Sequence, residues 1–88
     1  MATQYDLYRV LRDWVSDASI GCFVEFNHYQ HEFLRLEKDI FGDVSVSCKN
    51  PLAIKYDSVM NDLIAYSMTK DDKDLETVKK HFIEIKEP

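Results

Sequence analysis

Apolar residues recur at helical spacing along nearly the whole chain, and the pattern divides into four segments. Thr3 and Asp6 stand at the spacing of a capping box, and Leu7, Val10 or Leu11, and Trp14 then mark one face of a first helix that is expected to run to about Ser16. Asp17 and Ser19 offer caps for a second helix, so the predicted connection is short and the two helices are expected to pair as neighbours. Cys22, Phe26, Tyr29, Phe33, Leu36 and Ile40 repeat every three or four residues, the seam of an antiparallel bundle, with Phe23 and Leu34 widening it. This second helix is expected to be the longest, ending near Phe41 because Gly42 follows where a left-handed residue is often needed.

A loop from Gly42 to Lys49 comes next. Val44 to Cys48 alternates as a strand would, but nothing else in the sequence offers it a partner, so it is expected to be extended without forming a sheet. Asn50-Pro51 signals a helix start: the Asn side chain can accept a first-turn N–H, and Pro at the first helical position loses no helical bond. Leu52, Tyr56, Val59, Leu63 and Tyr66 then stack on one face, with Met60 and Ile64 beside them, an arc wide enough to place this third helix centrally. Leu75, Val78, Phe82 and Ile85 mark a fourth helix with Lys79, Lys80, Glu84 and Lys86 outside, and Asp72 or Asp74 is its expected cap. The predicted class is all-α, an antiparallel four-helix bundle forming one domain over residues 1–88.

Composition agrees with a packed core: 45% of residues are hydrophobic and 12% aromatic, and two glycines with two prolines leave little turn material for a sandwich or barrel. No apolar run has membrane-spanning length, and Met1 to Asp6 lacks the basic and apolar regions of a signal peptide, so a cytoplasmic location is expected. Cys22 and Cys48 fit reduced thiols rather than a disulfide framework.

Charge changes the picture most. Between Asp57 and Glu76 lie six acids (Asp57, Asp62, Asp71, Asp72, Asp74, Glu76) against two lysines (Lys70, Lys73), which concentrates −4 of the chain's net −5 in one stretch. Carboxylates held together at a helix end make a negative field that steers and docks a basic partner, whereas the absence of a basic stripe makes nucleic acid a poor direct one. Tyr66, at the end of the third helix beside the acidic turn, suits a binding hot spot.

Other chemistry finds less support. His28 and His31, with Glu32 beside them, have no evident third ligand, so no metal or other cofactor is expected, and His81 reads as a surface residue. Neither cysteine sits in a glycine-rich turn or nucleophile elbow, and a bundle filled by Trp14, Phe23, Phe26, Phe33 and Phe82 leaves little room for a catalytic pocket. The chain is read as a binding protein, not an enzyme.

Several stretches together resemble the immunity proteins of the colicin D family, small helical bundles that inactivate a cognate tRNA-cleaving toxin. They are Leu11-Arg12-Asp13-Trp14-Val15-Ser16, the polar turn before Ile20, the aromatics Phe26, Tyr29 and Phe33, the segment Val59 to Tyr66, the acidic turn Asp71-Asp72-Lys73-Asp74 and the closing Leu75 to Phe82. The resemblance implies inhibition by occlusion, with carboxylates at the end of the third helix and the following loop filling the toxin's basic active site. By similarity Tyr66 matches the family's aromatic, and Asp71, Asp72 and Asp74 its acidic loop. Family members often carry an acid two residues before that aromatic; here that position is Ile64, and Asp62 lies four before. Two other readings use the same sequence: an adaptor that mimics nucleic acid to block a basic host protein, and a helical protein whose acidic edge is covered in a homodimer.

Overall fold

The computed structural model describes residues 2–43, 45 and 48–88, and four helices are present among them: α1 (Gln4–Ser19), α2 (Phe26–Phe41), α3 (Pro51–Thr69) and α4 (Asp72–Ile83). No strand occurs among the described residues. The expected extended stretch Val44–Cys48 lies largely outside them; Cys48 and Lys49 form a turn that leads into α3.

Local capping chemistry sets several boundaries as expected. The Thr3 hydroxyl accepts the Asp6 N–H (3.3 Å), while the Asp6 carboxylate accepts the Thr3 N–H (2.9 Å), so two first-turn donors of α1 are satisfied reciprocally. Asn50 Oδ1 accepts from the N–H groups of Leu52 and Ala53, with Pro51 at the first helical position. Gly42, at φ +84°, closes α2 after Phe41.

The α1–α2 connection differs from expectation. Helix α1 continues to Ser19, and Asp17 and Ser19 cap nothing: Asp17 accepts a hydrogen bond from the Tyr29 hydroxyl (2.9 Å), Ala18 is buried, and the Ser19 hydroxyl donates back to the Ser16 carbonyl. The turn falls at Gly21, whose φ of +76° suits glycine. Helix α2 starts only at Phe26, after Glu25, whose side chain makes no capping bond. Cys22 is therefore a half-buried turn residue rather than the first position of the α2 seam. At 19 residues α3, not α2 with 16, is the longest helix.

Burial follows the predicted faces with a few exchanges. The core comprises Leu7, Leu11, Trp14, Val15 and Ala18 from α1, Phe33, Leu36 and Phe41 from α2, Ala53, Tyr56, Val59, Leu63 and Tyr66 from α3, and Val78 from α4. Leu34 points outward, and Phe41 does more of the packing at that end of α2, its ring 6.1 Å from that of Tyr56. Ile85 is buried although it lies beyond the end of α4, anchored by its N–H to the Phe82 carbonyl. Trp14 sits at the centre of an aromatic group, edge-on to Phe26 (5.1 Å) and Phe33 (5.9 Å), geometries that match the positive ring edge to a negative face.

Successive helices meet in the order expected of neighbours running in opposite directions. Ala2 reaches Asp39 and Asp17 meets Tyr29 across α1 and α2; Phe23 packs on Tyr66 and Phe41 on Tyr56 along α3; Asp62 meets His81 and Thr69 meets Asp74 across α3 and α4. Helix α3 touches each of the other three, the central place expected from its wide apolar arc. The α1–α2 turn and the α3–α4 turn consequently share one end of the bundle.

Candidate functional site

The α3–α4 turn is built from Lys70 and Asp71. Lys70 adopts the left-handed conformation (φ +55°) that ends α3, and its N–H donates to the Tyr66 carbonyl (2.8 Å). Its ammonium lies 3.7 Å from the centroid of the Phe23 ring, a cation–π contact that ties this turn to the α1–α2 turn. Asp71 is the cap of α4, accepting the Lys73 N–H at 2.9 Å, so the expected cap at Asp72 or Asp74 moves back by one or three residues. Asp72 and Asp74 occupy the first turn, where the helix dipole favours negative charge.

The six acids separate into two groups in space. Asp57 turns inward against Glu37 of α2. Glu37 Oε2 and Asp57 Oδ1 are both buried, and neither has a hydrogen-bond partner among the described residues. Burial first, then the neighbouring Asp57 carboxyl and its negative charge, push the Glu37 carboxyl up to about 8, so at neutral pH Glu37 keeps a proton. Asp62 is partly buried and hydrogen-bonded to Nδ1 of His81, which joins α3 to α4; His81 is thus part of the helix interface and not a free surface residue. Neither Asp57 nor Asp62 stands with the acidic turn.

The second group is Asp71, Asp72, Asp74 and Glu76. Asp71, Asp72 and Glu76 are exposed; Asp74 is partly covered and accepts a hydrogen bond from the Thr69 hydroxyl. None of the four takes part in an ion pair among the described residues. Tyr66 lies just inside this edge but is only 7% exposed, its ring 5.8 Å from that of Phe23, so it supports the surface from beneath and offers a partner little area of its own.

Sequence reasoning did not include Ile20, Val24 and Met68, which stand on the same end of the bundle with 78%, 88% and 80% of their surface exposed. The signal that marks two of them is local: Ile20 and Val24 flank Gly21 and Phe23, so the turn glycine breaks the helical pattern where the face would otherwise be assigned to the core. Glu37 was also detectable, since it lies four residues from both Phe33 and Phe41 on the apolar side of α2.

Elsewhere several polar groups are engaged within the bundle. A groove of about 840 Å³ between the start of α1 and the end of α2 is lined by Arg9, Arg35 and Lys38 together with Asp6, Glu32 and Asp39. Asp6 is used in the capping box, Asp39 accepts from the Ala2 N–H, and Arg35 bonds Glu32 at 2.8 Å, holding that carboxyl below its usual range. His28 and His31 are exposed on α2, and no group of three or more potential metal ligands occurs among the described residues. Both cysteines are unpaired. No helix of the described residues is long and apolar enough to cross a membrane.

Compared with protein-family models, with curated proteins and with solved structures, the chain matches none. What it does is therefore read from its own surface.

Proposed function

We propose that this protein is an immunity protein of the colicin D type, which neutralises a cognate tRNA-cleaving toxin by covering the toxin's basic active site with the acidic α3–α4 turn. One observation carries the reading: Asp71, Asp72, Asp74 and Glu76 gather at the head of α4, and among the described residues no cation is paired to any of them. A nuclease must hold RNA phosphates with Lys and Arg, and four carboxylates on one edge complement such a cleft. Charge complementarity of this kind acts mainly on encounter rate and on partner choice. The protein's role is binding; it is not an enzyme, it uses no cofactor or metal, it works in the cytoplasm and it makes no direct contact with nucleic acid or membrane.

The site proposed from the structure is narrower than the one read from sequence. Asp57 and Asp62 are engaged within the bundle and leave the contact surface to the turn and the first two turns of α4. The test is the triple substitution Asp71→Asn, Asp72→Lys and Glu76→Lys, with affinity measured against the product of the gene immediately upstream. Asn retains the capping oxygen at position 71, so helicity by circular dichroism stays unchanged. Loss of three charge contacts of about 1 kcal/mol each weakens binding about 100-fold. Unchanged affinity in the folded variant would remove this edge from the interface.

A further inference from the structure

The half of the bundle away from the acidic turn carries two adjoining depressions. The groove of about 840 Å³ between α1 and α2 brings Arg9 and Val10 of one helix together with Arg35, Leu36 and Lys38 of the other. A second depression, of about 340 Å³, is lined by His31, Leu34, Arg35 and Lys38, whose spacing of three, one and three residues makes them one strip along α2. Arg35 and Lys38 line both, so the two form a continuous surface. It includes apolar area: Leu34 is 44% exposed and Val10 is half-buried.

The carboxylates of this surface are engaged within the chain, whereas its cations have donors to spare. Asp6 accepts the Thr3 N–H (2.9 Å), Asp39 accepts the Ala2 N–H (3.4 Å) and Glu32 pairs with Arg35 (2.8 Å). Arg9 and Lys38 are exposed and take part in no ion pair among the described residues, and Arg35 keeps guanidinium N–H groups beyond the nitrogen that bonds Glu32. Free donors around an exposed leucine suit a ligand whose carboxylates flank an aliphatic side chain. The same three acids limit the charge density of that ligand. A nucleic acid, with a negative charge at every residue, would meet Asp6, Glu32 and Asp39 as well as the cations, whereas a peptide can place acids against the cations alone. Two neighbouring antiparallel helices also leave a trough that accepts a third helix. We infer that this face docks an acidic amphipathic helix of another protein, with its carboxylates on Arg9, Arg35 and Lys38 and its apolar side on Val10 and Leu34. The surface shares no residue with the acidic turn, so it is a second interface and does not depend on the nuclease reading.

The test uses isotope-labelled protein, observed by NMR, and a defined probe: a helical peptide of leucine and glutamate with one apolar and one acidic face. The same peptide with glutamine in place of glutamate controls for charge, and an oligouridylate of equal length controls for a polyphosphate. The leucine–glutamate peptide is expected to shift the methyl signals of Val10 and Leu34 and the side-chain N–H signals of Arg9 and Arg35, and to leave the Ile83 methyls and the Asp71 and Asp72 amides in place. Its affinity is expected to fall about 10-fold in the variant Arg9→Gln, Lys38→Gln, which keeps the wild-type circular dichroism because both positions are exposed. Leu34→Ser, also at an exposed position, is expected to weaken binding while leaving every charge in place. Absence of shifts at Val10 and Leu34, shifts centred on Ile54 or Ile83, equal binding of the glutamine peptide, tighter binding of the oligouridylate, or unchanged affinity in both variants would each overturn the inference. A dimer mass in solution that is lost in Arg9→Gln, Lys38→Gln would also overturn it, by assigning the face to a second copy of this chain.

Discussion

Substituting Trp14 by Ala is expected to destabilise the protein by about 3–5 kcal/mol, a large fraction of the roughly 4–13 kcal/mol that a domain of this size has in total. The indole is 1% exposed and is the contact between α1 and the aromatic rings of α2, so truncation leaves a cavity that Phe26 and Phe33 fill only by abandoning their edge-on geometry. Trp14→Phe separates packing from hydrogen bonding. Its Nε1 is buried with no partner among the described residues, so Phe removes an unsatisfied donor while keeping an aromatic ring, and the expected loss is about 1–2 kcal/mol. Urea unfolding followed by circular dichroism measures both. A Trp14→Ala protein with an unchanged midpoint would contradict the central position assigned to this ring.

The second large effect is a fall in stability between pH 7 and 9 that depends on one carboxyl group. Glu37 titrates in the folded protein near 8, above its ordinary value of 4.5. The folded chain therefore holds a proton that the unfolded chain has already released, and the associated stability is complete below about pH 4 and is lost as pH rises through 8. Above that pH the two carboxylates of Glu37 and Asp57 repel across the α2–α3 contact. The neighbouring positions on the same faces are Phe33 and Phe41 of α2 and Ala53 and Met60 of α3, none of them a cation, and among the described residues Asp57 is the charged group that acts on Glu37. Glu37 is only partly buried, so solvent moderates the effect, and the melting temperature is expected to fall by roughly 5 °C from pH 7 to 9. In Glu37→Gln the amide donates to Asp57 at any pH, and the decline attributable to this pair disappears. A wild-type protein and a Glu37→Gln variant with parallel pH profiles would show that no proton is shared.

The features legible in the sequence were those whose chemistry is local. Thr3 with Asp6, Asn50 with Pro51, and Gly42 after Phe41 each set a helix end through bonds within a few residues, and each was placed correctly. The α1–α2 boundary was misread because Asp17 and Ser19 have the chemistry of caps but are used otherwise. The partner of Asp17 is Tyr29, twelve residues away, and its identity depends on how α1 lies against α2. The same cause split the acidic stretch. Six carboxylates are close in sequence, yet Asp57 finds Glu37 and Asp62 finds His81, each across a helix interface that spacing alone does not specify. Of the six, only the acids of the α3–α4 turn and the head of α4 remained together at the surface. Ile20, Val24 and Met68 were missed for the converse reason, since exposure of an apolar side chain at a turn depends on which neighbours come to cover it.

One surface results: an acidic turn whose Asp71 caps α4, tied through Lys70 and Phe23 to the ordered α1–α2 turn and supported from within by Tyr66. We propose that this end of the bundle closes the basic cleft of a nuclease. The most direct measurement is cleavage of tRNA by the product of the gene immediately upstream, titrated with this protein and with the Asp71→Asn, Asp72→Lys, Glu76→Lys variant. Cleavage that stops at one molar equivalent of wild type, and persists at one equivalent of the folded variant, is the predicted result. Cleavage that continues in excess wild-type protein, or that both proteins arrest equally, would contradict it.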